Sequence, residues 1–433
     1  VFHVSPGGSL KGRLRVPGDK SISHRALMLG AIADGVTEVS GFLEGEDTLA
    51  TLEALRAMGV VIERPAPGRV VIQGVGRDGL KAASEPLYLG NSGTSMRLLA
   101  GLLAGQGFEV VLTGDASLSR RPMRRVTDPL ARMGAHIEIS AKGTAPLRIR
   151  AVRALHGIEY QMPVASAQVK SSLLLAGLYA TGRTCITEPA PTRDYTERML
   201  AGFGYLVERR GNTVCVEGGG RLTAGAIDVP ADISSAAFFL VGASIAPDSD
   251  LVLEHVGINP TRIGVLNILK LMGADIALEN PRIVGGEPVV DIRVRSSELR
   301  GIEVPPEQVP LAIDEFPALF IAAACARGET RVTGAEELRI KESDRIQVMA
   351  EGLRHLGIEA RPTPDGLIIQ GGEFSGGTVA SHADHRVAMA FAMAALRARA
   401  PVTIEDCANV NTSFPGFVGL ARSTGLKVTE RTS

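Results

Sequence analysis

Lys20-Ser21-Ile22-Ser23-His24-Arg25 sets cations and hydroxyls close together. At the start of a helix, these spacings bring Lys20, Ser21 and Arg25 to one end or face, an arrangement that suits an oxyanion. A cation in a first turn opposes the helix dipole, so a merely solvated charge run explains it poorly. Leu89-Gly90-Asn91-Ser92-Gly93-Thr94-Ser95-Met96-Arg97 reads as a second such start. Asn91 and Ser92 are good N-cap residues, and Gly93 lets the backbone approach a ligand. The unpaired N–H groups of a helix start favour anions. Alone, this stretch is an ordinary capped helix; its weight comes from related starts further along.

Arg120-Arg121-Pro122-Met123-Arg124-Arg125 concentrates positive charge in a chain of net charge −1. One or two of these guanidiniums suit a carboxylate or phosphate, while Arg124 and Arg125 fit a basic surface helix. Ser166-Ala167-Gln168-Val169-Lys170 and Arg193-Asp194-Tyr195 are weaker signals of a cap and a loop. Asp314-Glu315 precedes an apolar helix. Lys341-Glu342-Ser343-Asp344-Arg345 sets carboxylates beside cations, a pattern able to exchange protons in a cleft but also typical of a solvated helix face. Ser381-His382-Ala383-Asp384-His385-Arg386 lacks the ligand spacing of a metal site; Asp384 reads as an N-cap, with Arg386 aimed at an anion. Gly74-Val-Gly-Arg-Asp-Gly79 fits GxGxxG, but the Pro86-ended stretch after it is too short for a dinucleotide helix.

A repeat must position these groups. Gly59, Gly134, Gly204, Gly273, Gly357 and Gly425 each follow a helix-like stretch and precede a strand, at intervals of roughly seventy residues, and each predicts a left-handed C-cap. In register with them, small-apolar helices begin near Lys20, Asn91, Ser166, Asp232, Asp314 and Asp384. They are apolar all round and so internal; a more polar helix follows in each repeat. The result is an α/β chain of six repeats. The last is short, and the N-terminal residues with strand-like Ser9–Val16 would complete it. Two lobes are therefore expected: 20–230 with three repeats, and 1–19 with 231–433 carrying the other three. Pro17-Gly18 and Pro230-Ala231 would be hinges, with a cleft between the lobes.

Composition narrows the function. The near-neutral charge gives no reason to expect nucleic acid or an anionic membrane, and with aromatics at 4% base-stacking platforms are not expected. No apolar run is long enough to span a bilayer, and no signal peptide is read at the N-terminus. Cys185, Cys215, Cys325 and Cys407 are scattered, which suggests neither a zinc site nor a disulfide framework and fits a reducing, cytoplasmic setting. Many cations with a few carboxylates fit two anionic substrates and proton transfers, without metal or cofactor.

Pro17–Arg25, Gly90–Arg97, Gly114-Asp-Ala-Ser-Leu with Arg121-Pro122, Arg339–Arg345 and Asp384-His-Arg386 together resemble the 5-enolpyruvylshikimate-3-phosphate (EPSP) synthase family, in order and over nearly the whole chain. The resemblance implies two similar lobes, each of three βαβαββ repeats, with helix N-termini facing the interlobe cleft. It implies transfer of the enolpyruvyl group of phosphoenolpyruvate to the 5-hydroxyl of shikimate 3-phosphate, releasing phosphate through a tetrahedral intermediate. By motif, Lys20, Ser21, Arg25, Ser166, Ala167, Gln168, Arg193, Asp314 and Lys341 would hold shikimate 3-phosphate. Lys20, Gly93, Arg121, Gln168, Arg345 and Arg386 would hold phosphoenolpyruvate. Asp314 would accept the hydroxyl proton. Glu342 would protonate the methylene carbon, with Lys20 as rival. The chain would be a monomer.

Two departures bear on the inhibitor glyphosate. Thr412 precedes Ser413-Phe414-Pro415 where many members carry lysine, and Leu98 stands where many carry proline. Both resemble a tolerant branch, yet Gly93 is retained where the most tolerant members have alanine. Weakened glyphosate binding is expected. The rivals are a UDP-N-acetylglucosamine enolpyruvyl transferase, which usually presents a cysteine near the Arg121 region, and a non-catalytic anion-binding protein.

Overall fold

In a computed structural model, which describes residues 1–431, the chain divides into two compact lobes. The first runs Gly18–Val229; the second joins Val1–Pro17 to the stretch from Pro230 onward. Each has its own apolar core, and no residue belongs to both.

One pairing rule builds the six main sheets. In the first lobe Ala33–Ser40 pairs antiparallel with Arg69–Val75, which pairs antiparallel with Val61–Ala66. Val110–Thr113, Leu147–Arg150 and His136–Glu138 repeat the order, as do Arg183–Thr187, Thr213–Glu217 and Val207–Arg210. A short strand from a neighbouring repeat then adds in parallel. Leu87–Tyr88 joins the second sheet, Glu159–Gln161 the third, and Ala226–Asp228 the first. The third repeat thus feeds the first, and the ring closes.

The second lobe follows the same rule. Asp250–Gly257, Glu287–Arg295 and Asp275–Val284 form one sheet; Glu329–Val332, Gly366–Gln370 and Ala360–Thr363 form the next. In the last sheet the middle strand comes from the other end of the chain: Phe2–Val4 lies between Val402–Glu405 and Val428–Glu430. Lys11–Leu14, within the strand-like stretch at 9–16, instead pairs in parallel with Asp250–Gly257.

Each repeat contributes one internal helix. These are Lys20–Ala31, Gly93–Ala104 and Ala167–Gly177 in the first lobe, and Ile233–Ile245, Phe316–Cys325 and His385–Ala394 in the second. Every residue of Ile233–Ile245 is buried, as expected of a helix with no polar face. Small residues let the helices approach. A Cβ on Gly101 would lie 2.0 Å from the carbonyl oxygen of Ser172. All six C-cap glycines have positive φ, from 78° at Gly204 to 121° at Gly425. After Gly74 the chain runs through turns to Pro86 with no helix, so the GxGxxG match has no dinucleotide geometry.

One expectation is corrected. Cys185 and Cys215 form a disulfide, with Cα atoms 4.1 Å apart. They are direct cross-strand partners in the sheet of the third repeat. Linear spacing concealed the pairing because strand register decides it. The reducing setting drawn from scattered cysteines therefore loses its premise. Cys325 and Cys407 are free.

Candidate active site

Candidate residues gather near helix N-termini: Lys20, Gly93, Ser166, Asp314 and Arg386 by internal helices, and Arg121, Arg193, Lys341, Glu342 and Arg345 by the more polar ones. In the first lobe Asp19 caps the Lys20 helix, accepting from the Ile22 N–H at 2.9 Å. Its other oxygen accepts from the Tyr195 hydroxyl at 2.9 Å. Lys20 forms an ion pair with Asp47, which is buried on the second helix of that repeat. Arg25 turns inward: it donates to Thr196 Oγ1 at 2.7 Å, Ser171 Oγ at 2.8 Å and the Ser21 carbonyl at 3.0 Å. Burial lowers its pKa to about 10, against the pull of Glu197 and Asp19.

Ser92, not Asn91, caps the Gly93 helix, accepting from the Ser95 N–H at 3.1 Å. Asn91 instead accepts from Arg121 at 2.6 Å and donates to Asp115 at 2.7 Å. Arg97 donates to Gln168 Oε1 at 2.6 Å, and Gln168 donates to Thr94 at 3.1 Å. These bonds tie the start of one internal helix to the next. A Cβ on Gly93 would stand 2.9 Å from a terminal nitrogen of Arg97 and 3.0 Å from one of Arg121. A methyl at this position would press on both guanidiniums, and their ends would have to shift. Ser166 caps the Ala167 helix through the Val169 N–H at 3.4 Å. Arg193 lies in the loop just before the helix Tyr195–Gly202.

Beneath these groups lies a buried charge cluster. Lys170 Nζ is 2.5 Å from Glu188 and 2.7 Å from Glu197. Burial raises the Glu197 pKa, and Lys170 only partly offsets it.

In the second lobe, carboxylates and cations are matched. Asp314 Oδ1 lies 3.6 Å from Lys341 Nζ and 3.5 Å from an Arg345 terminal nitrogen. Arg386 donates to the Asp314 backbone carbonyl at 3.2 Å. Arg345 is almost fully buried. Its Nε donates to Asp384 at 2.8 Å and a terminal nitrogen donates to Glu342 at 2.6 Å. Burial alone would lower the Arg345 pKa, but Asp384, Glu342 and Asp314 outweigh it and drive the value up. Burial would likewise raise Asp384; Arg345 outweighs that and holds its pKa below the usual range. The 341–345 run is therefore no solvated helix face. Asp384 both caps its helix, through the Arg386 N–H at 3.0 Å, and clasps Arg345.

Gly93, Arg121 and Gln168 thus share one polar network in the first lobe, where Lys20 meets Asp47, and Asp314, Lys341, Glu342, Arg345 and Arg386 share one in the second. Arg25 lies in the first lobe, bonded to Thr196, Ser171 and the Ser21 carbonyl. Sequence reasoning passed over Arg97 and Asp47. Arg97 was findable, because it lies four residues after Gly93 and so one turn along the same face. Asp47 had no local signal. Among the described residues no group of three or more His, Cys, Asp or Glu could hold a metal ion.

Comparison with known proteins follows the same lines. The family model for EPSP synthase (3-phosphoshikimate 1-carboxyvinyltransferase) matches residues 4–420. The chain is 71% identical over 429 residues to a 3-phosphoshikimate 1-carboxyvinyltransferase of Alkalilimnicola ehrlichii, covering 99% of this chain and 96% of that protein. It is 68% identical to the Nitrosococcus oceani protein of the same name, over 99% and 96% of the two chains. A solved EPSP synthase from Acinetobacter baumannii superposes with a TM-score of 0.89 at 59% identity, covering 99% of each chain.

Proposed function

The chain belongs to the EPSP synthase family, and from that premise we propose how its residues divide the family's reaction. The enzyme moves the enolpyruvyl group of phosphoenolpyruvate onto shikimate 3-phosphate in the shikimate pathway. Arg121 and the start of the Gly93 helix grip the phosphoenolpyruvate anion, with Lys20, Gln168, Arg345 and Arg386 completing its site. Lys20, Ser21, Arg25, Ser166, Ala167, Gln168, Arg193, Asp314 and Lys341 hold shikimate 3-phosphate. Asp314 accepts the 5-hydroxyl proton as that oxygen attacks C2 of phosphoenolpyruvate. A proton from Glu342, or from its rival Lys20, reaches the methylene carbon. Elimination of phosphate from the tetrahedral adduct then restores the double bond. The protein acts as a monomer.

The observation that supports this division is the convergence of Arg97 and Arg121 on Gly93, where a Cβ would stand 2.9 and 3.0 Å from them. Guanidiniums held at a helix start favour a small dianion over a neutral ligand. The test is phosphate release from phosphoenolpyruvate with and without shikimate 3-phosphate. Release that needs shikimate 3-phosphate is expected; release only with UDP-N-acetylglucosamine, or none, overturns the reading. Glyphosate would compete with phosphoenolpyruvate, less tightly than in members with lysine at the position of Thr412.

A further inference from the structure

The fourth residue of every internal helix is buried. In five of the helices it is uncharged: Ser23, Met96, Ala236, Leu319 and Ala388. In Ala167–Gly177 it is Lys170, whose side chain has no exposure at all. A buried cation near a helix start opposes the helix dipole and gives up its hydration. A buried ion cluster also adds little net stability over apolar side chains of similar volume. Stability therefore does not account for a lysine here.

Its partners do. Lys170 Nζ lies 2.5 Å from Glu188 and 2.7 Å from Glu197, and both carboxylates are buried. Glu188 follows the strand Arg183–Thr187 and stands five residues before Arg193. Glu197 stands four residues after Arg193, on the helix Tyr195–Gly202. One ammonium thus closes the base of the loop that carries Arg193.

Glu188 also reaches into that loop. Its Oε1, the oxygen that faces Lys170, accepts from the Thr192 hydroxyl at 2.5 Å; its Oε2 accepts from the Thr192 N–H at 3.4 Å. Thr192 immediately precedes Arg193. Pro189 and Pro191 restrict the same loop through their fixed φ. Lys170 itself is one turn along the helix from Ser166, which caps the start of that helix. The clamp therefore registers Arg193 against Ser166, Ala167 and Gln168. A loop already held in place has less freedom to lose when an anion binds.

We propose that Lys170 and Glu188 are positioning residues: they fix the Arg193 loop against the start of the Ala167 helix and so set the affinity for shikimate 3-phosphate. This rests on the assignment of Arg193, Ser166, Ala167 and Gln168 to that substrate. Steady-state phosphate release and calorimetric titration with shikimate 3-phosphate test it. Thr192→Val cuts the link into the loop but leaves the Lys170 pairs in place. KM and Kd for shikimate 3-phosphate rise about fivefold or more, the scale of one lost hydrogen bond to a charged group. KM for phosphoenolpyruvate and kcat stay within about twofold, a split that general loosening of the fold does not produce. Thr192→Ser, which keeps the hydroxyl, returns both values to near wild type. Lys170→Met combined with Glu188→Gln and Glu197→Gln opens the base of the loop without leaving a buried unpaired ion, and it raises KM for shikimate 3-phosphate about tenfold or more. Wild-type affinity for shikimate 3-phosphate in Thr192→Val or in the triple variant, an equal rise in both KM values, or no recovery in Thr192→Ser overturns the proposal. Phosphate release by the wild type that does not need shikimate 3-phosphate overturns the substrate assignment, and this proposal with it.

Discussion

The two lobes share one pairing rule but set different chemistry at their helix starts. In the first lobe the starts hold cations and neutral donors: Lys20, Arg97, Arg121, Ser166 and Gln168. Of the nearby carboxylates, Asp19 is buried as a cap and Asp47 is buried in its pair with Lys20. In the second lobe Asp314, Glu342 and Asp384 all meet Arg345 within 3.5 Å. One lobe is organised to attract anions; the other holds carboxylates in fixed positions among cations. Binding and proton transfer make these separate demands, because anion affinity needs an excess of donors whereas a base needs an acceptor held in place. A ring of three similar repeats meets either demand by changing the few residues at each helix start.

This contrast can be broken most severely at Asp314. Asp314→Asn should cut kcat by about 10²–10⁴-fold, the usual worth of a general base, with KM for both substrates changed little. Steady-state phosphate release would show it; near-normal kcat with raised KM would move Asp314 to the binding side. Next is the clasp on Arg345. Asp384→Ala leaves a buried guanidinium without its main partner and should cost about 3–5 kcal/mol of stability, read as a lower denaturant midpoint. A loss below about 1 kcal/mol, the scale of an exposed pair, would show that the clasp is not structural.

Gly93→Ala sharpens the binding half. The new methyl meets two guanidiniums at 2.9 and 3.0 Å, so KM for phosphoenolpyruvate should rise several-fold and glyphosate inhibition should weaken further. Unchanged values for both would mean that Arg97 and Arg121 move aside without consequence.

The smallest effect is a pH dependence confined to the first lobe. His24 is fully buried; burial first, then Lys20 and Arg25, lower its pKa well below 6.5. Its Nδ1 meets Thr51 at 2.9 Å, and Thr51 meets Ser95 at 2.5 Å, linking the Lys20 and Gly93 helices. The unfolded chain binds the proton more readily than the fold does. The neutral ring's stabilisation is therefore complete above about pH 6.5 and is lost as pH falls toward the lowered value, by at most about 1.4 kcal/mol per pH unit. Denaturation of His24→Asn between pH 5 and 7 should show a shallower slope than wild type. Equal slopes would exclude His24 as the source.

The repeat and its helix starts were legible because they obey local rules. A C-cap needs a residue that tolerates positive φ, and Gly59, Gly134, Gly204, Gly273, Gly357 and Gly425 all meet that need. An internal helix needs an unbroken apolar surface, and Ile233–Ile245 shows one in its composition alone. Partners distant in the chain were not legible. Asp47 beside Lys20, Asp384 around Arg345, and Cys185 opposite Cys215 follow from helix packing and strand register. No local pattern encodes which of many carboxylates or thiols will be brought within reach.

By itself, then, the sequence determined the elements, their periodic order and the chemical types at each helix start, since backbone preference and hydrophobic pattern act over a few residues. The sequence called for the N-terminal residues to complete the last repeat; only the tertiary structure decided that Phe2–Val4, and not the stretch at 9–16, pairs with its strands. The tertiary structure also set Arg25 against Thr196 and Ser171, and it laid the Tyr179 ring against Gly105 at the end of the Gly93 helix. Those outcomes depend on which surfaces close-pack, and close packing is a property of the whole fold.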